Sequence, residues 1–210
     1  MTGRELPYRE NSVLRSSYSR VATIYDLVIS GPLRAARTRS LRALPAVEAG
    51  RVLLSGIGTG LDLPLLPRLH QYTALDFNAA MLSRAKPRST GLKVEWVLGD
   101  SMALPFSDAQ FDHVVLHLIL AIVPQPALCL SEAARVLKPG GTIILLDKFL
   151  RPKQQAWLRR ALNPLMRRLV TRLDVVFEEV LREVPQLQAI SDEPLLARGW
   201  IRGIKLQKRA

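Results

Sequence analysis

The sequence predicts an α/β fold built on a mainly parallel sheet. Three observations carry this reading. Short apolar runs alternate with helical segments between residues 51 and 147. A glycine-rich stretch, Gly56-Ile57-Gly58-Thr59-Gly60, follows the first run. Acidic residues, Asp76 and Asp100, stand at the ends of the next two. Strands separated by helices at this spacing return the chain in one direction through right-handed crossovers.

Residues 1–17 are polar, and Tyr18 to Leu44 reads as one or two helices interrupted at Ser30-Gly31-Pro32. Val52 to Leu54 is a predicted first strand. The leucine-rich segment from Leu61 to Leu69 is a predicted helix, shortened or kinked by Pro64 and Pro67. A second strand is expected from Tyr72 to Leu75, then a helix from Asn78 to Lys86 with Asn78 as its N-cap. Val94 to Val97 and Phe111 to Leu116 supply strands three and four. A helix from Ala127 to Leu137 is expected to stop at Lys138-Pro139-Gly140-Gly141, before a fifth strand from Thr142 to Leu146. Residues 151–190 then break the alternation. Trp157, Leu158, Ala161, Leu162, Leu165, Met166, Leu169 and Val170 recur at helical spacing with arginines between them. Ile201 to Gln207 is a last strand, after a helix ending at Gly199. That leaves six strands, or seven if one comes from the 174–190 region.

Composition narrows the functional classes. A chain of 210 residues, 48% of them hydrophobic, fits one domain with a sizeable core. The single cysteine, Cys129, excludes an intramolecular disulfide, and His70, His113 and His117 lack metal-ligand spacing, so no metal is expected. The first ten residues are polar and do not read as a signal peptide, and no apolar run reaches the length of a membrane span, so a cytoplasmic location is expected. The net charge of +12 is unevenly placed. Arg34, Arg37, Arg39 and Arg42 lie early, and Arg151, Lys153, Arg159, Arg160, Arg167, Arg168 and Arg172 lie late. These additions, not the central fold, would draw a polyanion such as an anionic membrane surface or nucleic acid.

The motifs point to an adenosine ligand. Glycine tolerates φ > 0 and lets a backbone approach a ligand closely. In open α/β sheets the ligand lies at the carboxyl ends of the strands. The spacing G-x-G-x-G differs from the G-x-G-x-x-G of dinucleotide folds. Asp76 can accept two hydrogen bonds from a ribose cis-diol, or it can cap the following helix. Asp100 can accept from an adenine amino group while Met102 covers the ring. Leu104-Pro105-Phe106 and Phe111-Asp112 follow.

Taken together, Val52 to Pro64, Ala74 to Ala85, Leu98 to Val115 and Ala133 to Leu146 resemble class I S-adenosylmethionine-dependent methyltransferases. The last stretch includes Ala134-Arg135-Val136-Leu137-Lys138-Pro139-Gly140-Gly141, frequent in that family before strand five. The resemblance runs in order over residues 18–147. It implies a Rossmann-like sheet with flanking helices and S-adenosylmethionine as cofactor. Gly56, Gly58, Thr59 and Gly60 would wrap its methionine part. Asp76 would hold the ribose, and Asp100, Ser101 and Met102 the adenine. It also implies an N-terminal helical cap, residues 1–44, over the active site of a domain spanning 45–210, into which the residue pattern places a basic amphipathic helical insertion at 151–190. One departure stands out: the family often has an acid two residues before the first glycine, where this chain has Leu54. Asp62 or a backbone carbonyl could substitute, or the site could have drifted from catalysis.

Within the family, Tyr18-Ser-Arg-Val-Ala-Thr-Ile-Tyr25-Asp26, Gly58-Thr-Gly-Leu-Asp-Leu-Pro64 and Ile122-Val-Pro-Gln-Pro126 resemble bacterial phosphatidylethanolamine N-methyltransferases and ubiquinone/menaquinone methyltransferases. The expected reaction is methylation of a phospholipid headgroup amine at a membrane surface, with the basic helices in the headgroup boundary. Tyr18 and Tyr25 are candidates to shape the catalytic site or to pack. His117 is a candidate base or a hydrogen-bonded core residue. The alternatives are a quinone or small-molecule methyltransferase, or a cofactor-binding partner with weak catalysis. Nucleic acid is disfavoured, because Leu116-His117-Leu118-Ile119-Leu120 lacks the N/D-P-P-Y pattern that grips a flipped base. A weak homodimer through an uncovered sheet edge is also expected as an option.

Overall fold

The computed structural model describes residues 33–46, 48–150, 175–196 and 199–209. Tyr18, Tyr25 and the arginine-rich segment 151–172 lie outside these residues.

Seven strands form one sheet: β1 Arg51–Ser55, β2 Gln71–Asp76, β3 Lys93–Leu98, β4 Phe111–His117, β5 Leu137–Lys148, β6 Leu187–Leu196 and β7 Ile201–Lys208. Their spatial order is β3-β2-β1-β4-β5-β7-β6. β1 to β5 run parallel, and β7 is antiparallel to both β5 and β6. The described helices are α1 over 33–41, α2 Ala79–Ala85, α3 Pro126–Val136 and α4 Phe177–Arg182.

The reason β1 lies centrally is visible in its residues. Val52, Leu53 and Leu54 are all buried, because successive side chains enter opposite cores. Leu53 joins Leu75, Val114, Leu116 and Leu145 beneath Leu130 and Ala133 of α3. Val52 and Leu54 join Tyr72, Ala74, Val115 and Ile144 beneath Leu82 of α2 and Leu41 of α1. Both faces of the parallel part are therefore covered. Asn78 caps α2 as expected, its side chain accepting the Ala80 N–H at 3.0 Å.

Four expectations are corrected. The segment Leu61–Leu69 is not a helix; a single 3-10 turn spans Leu63–Leu65, because Pro64 suits only the first turn and Pro67 follows its end. The stretch Lys138-Pro139-Gly140-Gly141 lies inside β5, with a register irregularity opposite Phe111 and His113. Residues 187–190 are strand, not part of a helical insertion, and β6 replaces the helix expected before Gly199. Of the two strand counts expected, seven is the one found, with β6 beginning within the 174–190 region.

β6 and β7 are fastened by one buried cation. Arg202 donates to Asp192 at 2.6 Å and to Glu178 at 2.6 Å, and its guanidinium stands 5.8 Å from the Phe177 ring centroid. α4 and the outer strand thus share a single ion-pair hub.

Candidate functional site

The predicted ligand residues converge at the carboxyl ends of β1 to β4. Gly56, Gly58 and Gly60 have φ of +71°, +56° and +78°, so the turn uses the freedom that only glycine has without strain. Gly56 and Ile57 donate to Leu75 O at 2.8 and 3.0 Å, which seats the turn on the end of β2. The three glycines differ in what surrounds them. A Cβ at Gly56 would stand 2.0 Å from Ile119 Cδ1, and one at Gly60 would stand 2.7 Å from Leu63 Cδ1 and 3.0 Å from Ala85 Cα. A Cβ at Gly58 would meet nothing within 4 Å. Thr59 is buried beside it, and its carbonyl accepts a short hydrogen bond from Arg88.

Asp76 meets the turn directly. Its Oδ2 accepts the Gly58 N–H at 2.8 Å and its Oδ1 the Asn78 N–H at 3.0 Å. Burial pushes its carboxyl above the ordinary value, against the backbone N–H groups of Asn78, Gly58 and Phe77, which favour the charged form. The third strand arrives alongside: Gly99 donates to Asp76 O at 3.0 Å. Asp100 Oδ1 accepts the Met102 N–H at 2.8 Å, closing a tight turn that leaves Met102 half-buried. Ser101 points elsewhere; its buried hydroxyl accepts from Ser55 Oγ at 2.8 Å and ties this turn to β1. The segment beyond is clamped from α3. Arg135 donates to Leu104 O and Phe106 O, and Glu132 accepts the Leu104 N–H.

His117 is not presented as an open base. It is 6% exposed, and both ring nitrogens are engaged, Nδ1 with Asp62 Oδ1 at 3.0 Å and Nε2 with Ser40 Oγ at 3.1 Å. Arg37 donates to the same Asp62 oxygen at 2.7 Å. Burial would raise the Asp62 carboxyl, but His117 and Arg37 outweigh it and hold it well below the ordinary value. The chain Arg37–Asp62–His117–Ser40 therefore pins α1 to the residues just after the glycine turn and to the end of β4. Asp62 is committed here rather than free to replace an acid at position 54. Leu54 packs in the apolar core with Ile57, Leu82 and Val115.

A profile for the family described as "Methyltransferase domain" matches residues 53–145. A phosphatidylethanolamine N-methyltransferase of Cereibacter sphaeroides is 32% identical over 205 residues, spanning 95% of this chain and all of that protein. The chain belongs to the S-adenosylmethionine-dependent methyltransferases. A ubiquinone/menaquinone biosynthesis C-methyltransferase of Desulfotalea psychrophila is 39% identical over 102 residues. There the match spans 47% of this chain and 42% of the relative. The crystal structure of N-methyltransferase NodS from Bradyrhizobium japonicum WM9, in complex with S-adenosyl-L-homocysteine, superposes with a TM-score of 0.70 at 16% identity. It covers 92% of this chain and 99% of NodS, which establishes the shared fold.

Three residues outside the sequence motifs fasten the elements around this methyltransferase's glycine turn. Arg37 belongs to the early arginine group, yet it turns inward to Asp62. Ser40 carried no motif at all. Asp147 ends β5 fully buried, a position that an acid closing an apolar strand could have flagged.

Proposed function

We propose that this methyltransferase N-methylates a phospholipid headgroup amine of the phosphatidylethanolamine type at a membrane surface. The observation that carries this reading is the match to a phosphatidylethanolamine N-methyltransferase over 95% of this chain and all of that protein at 32% identity; quinone-pathway relatives match over 47% to 88% of this chain. The charge distribution supports it. Arginines at 151, 159, 160, 167, 168 and 172 alternate with apolar residues in a pattern suited to an anionic headgroup layer. Among the described residues no helix is long and apolar enough to cross a membrane.

The residues present fit S-adenosylmethionine. The Asp76 carboxylate takes the backbone N–H groups of Gly58, Asn78 and Phe77 and, with about four acceptor directions, keeps one for a ribose hydroxyl. The space above Gly58 admits a ligand against bare backbone. Gly56 and Gly60 shape the turn, Asp100 and Met102 border the adenine side, and Ser101 holds that border in place through Ser55. When bound, the cofactor supplies a methyl group on a positively charged sulfur. The protein's task is alignment of a neutral amine with that methyl and exclusion of water. With both His117 nitrogens engaged, removal of the amine's proton falls to solvent or to the segment bearing Tyr18 and Tyr25. His117 then acts as a fastener of α1.

The test is incubation with isotope-labelled cofactor and vesicles of phosphatidylethanolamine or demethylmenaquinone, followed by mass spectrometry. A gain of one methyl mass on phosphatidylethanolamine is expected. Label on the quinone alone would replace this reading with C-methylation. Charge reversal at Arg159, Arg160, Arg167 and Arg168 should weaken anionic-liposome binding and spare cofactor affinity. Equal loss of both would remove the membrane role.

A further inference from the structure

The end of β5 carries an acid that the cofactor reading does not use. Asp147 is fully buried. Its Oδ2 accepts the N–H of Ala121 at 3.0 Å and its Oδ1 that of Lys148 at 2.7 Å, and the Leu120 N–H also acts on the carboxylate. Two of these donors belong to the turn that follows β4. That turn begins with Leu118 at φ +59°, a left-handed conformation that a leucine keeps only where its surroundings impose it. Leu118 still donates to Leu146 O at 2.7 Å, so the ladder to β5 continues up to the point where the chain bends. Ile119 comes next. Its Cδ1 lies where a Cβ on Gly56 would go, and its carbonyl accepts from Ile122 and Val123 at 2.9 and 3.1 Å.

We propose that Asp147 is a positioning residue of the methyltransferase. It holds the turn at 118–121 so that Ile119 seats against Gly56 and fixes the wall of the cofactor site on the β4 side. The inference rests on the reading of the glycine turn as the cofactor site. The chemistry suits the task. Two carboxylate oxygens gather N–H groups from two chain segments, which a neutral amide cannot copy, because its NH₂ would face one of the donors. Because the carboxylate is fully buried at the end of β5, the turn is referenced to that strand rather than to solvent. Nearby Leu118 supplies the bend and Asp147 the restraint.

The experiment uses the full chain with Asp147→Asn, Ile119→Ala and the double variant. Amide hydrogen exchange, S-adenosylmethionine calorimetry and urea midpoints are read for each. In Asp147→Asn, exchange at Leu120 and Ala121 should accelerate by about tenfold or more while the amides of β1 keep their protection. Each single variant should bind the cofactor about tenfold more weakly, and the double no more weakly than the singles, as for residues acting through one path. Independent, multiplying losses would overturn the proposal, as would unchanged exchange at Leu120 and Ala121. A merely structural role would lower the urea midpoint without this non-additivity. If the unaltered chain fails to bind S-adenosylmethionine, the cofactor reading falls, and the exchange data alone decide whether Asp147 restrains the turn. Should Asp147→Asn not fold, it is remade with Leu118→Gly, since glycine takes φ +59° without strain and leaves the turn less in need of restraint.

Discussion

Gly58→Ala should separate cofactor binding from folding. The position has φ +56°, and a Cβ there meets no atom within 4 Å. The folded state therefore pays only the left-handed strain of an L-residue, about 1–2 kcal/mol. Alanine returns roughly 0.4–1 kcal/mol by restricting the unfolded chain. The net destabilisation is about 1 kcal/mol, or a fall in Tm of about 2–4 °C for a domain of this size. The Gly58 N–H to Asp76 survives, since the backbone donor is unchanged. The new methyl group instead fills the space assigned to the ligand. Calorimetry should show S-adenosylmethionine affinity lowered by at least about tenfold, equivalent to about 1.4 kcal/mol. Gly60→Ala is the contrast: its Cβ would stand 3.0 Å from Ala85 Cα, and backbone cannot swing aside, so folding itself should suffer more than in Gly58→Ala. Undiminished cofactor affinity in Gly58→Ala, measured on folded protein, would refute the placement of the ligand over this turn.

Two further substitutions address the fold around the site. Asp62 is held below its ordinary value of 3.8, so the stability it contributes is full above that pH and is lost as pH falls through the lower folded value. Urea unfolding across an acid series should show Asp62→Asn losing about 3 kcal/mol at neutral pH and having a shallower acid limb; an acid limb of unchanged slope would argue against the Arg37–Asp62–His117 chain. Arg202→Met should cost about 1–2 kcal/mol by leaving the partly exposed Asp192 and Glu178 unpaired. Combining Arg202→Met with Asp192→Asn should recover part of the loss, which denaturant midpoints will register.

The inner strands of the parallel half were legible because they are apolar on both faces and bounded by glycine, proline and acids. Val52 to Leu54 and Ile143 to Leu146 could be read as buried strands from composition alone. β6 was not legible for a physical reason. It is an edge strand, exposed from Gln188 to Pro194, and Gln188 to Glu193 gives no alternation of apolar and polar residues. Its strand character comes from pairing with β7 rather than from propensity. The site divides in the same way. Gly56, Gly58, Gly60, Asp76 and Asp100 were visible because the chain keeps them at fixed offsets from strand ends. Arg37, Ser40 and Asp147 act across 25 to 77 residues of sequence, as in Arg37 to Asp62 and Ser40 to His117. Such pairings follow from the packing of α1 and the height of β5, which no local spacing encodes. His117 illustrates the difference: its strand position is legible, but its partners Asp62 and Ser40, which engage both ring nitrogens, are not.

The insertion of β7 between β5 and β6 bears on how the chain reaches its folded state. A polypeptide emerging in order from the ribosome produces β1 to β5 as neighbours able to assemble early. β6 follows with no strand to pair with, since its partner is Ile201–Lys208. Until that strand arrives, the flank of β5 and the edge of β6 are both open, and Arg202 has yet to reach Asp192 and Glu178. Closure of the sheet is thus a late, non-local event, and this interval is when unpaired edges are most exposed to aggregation.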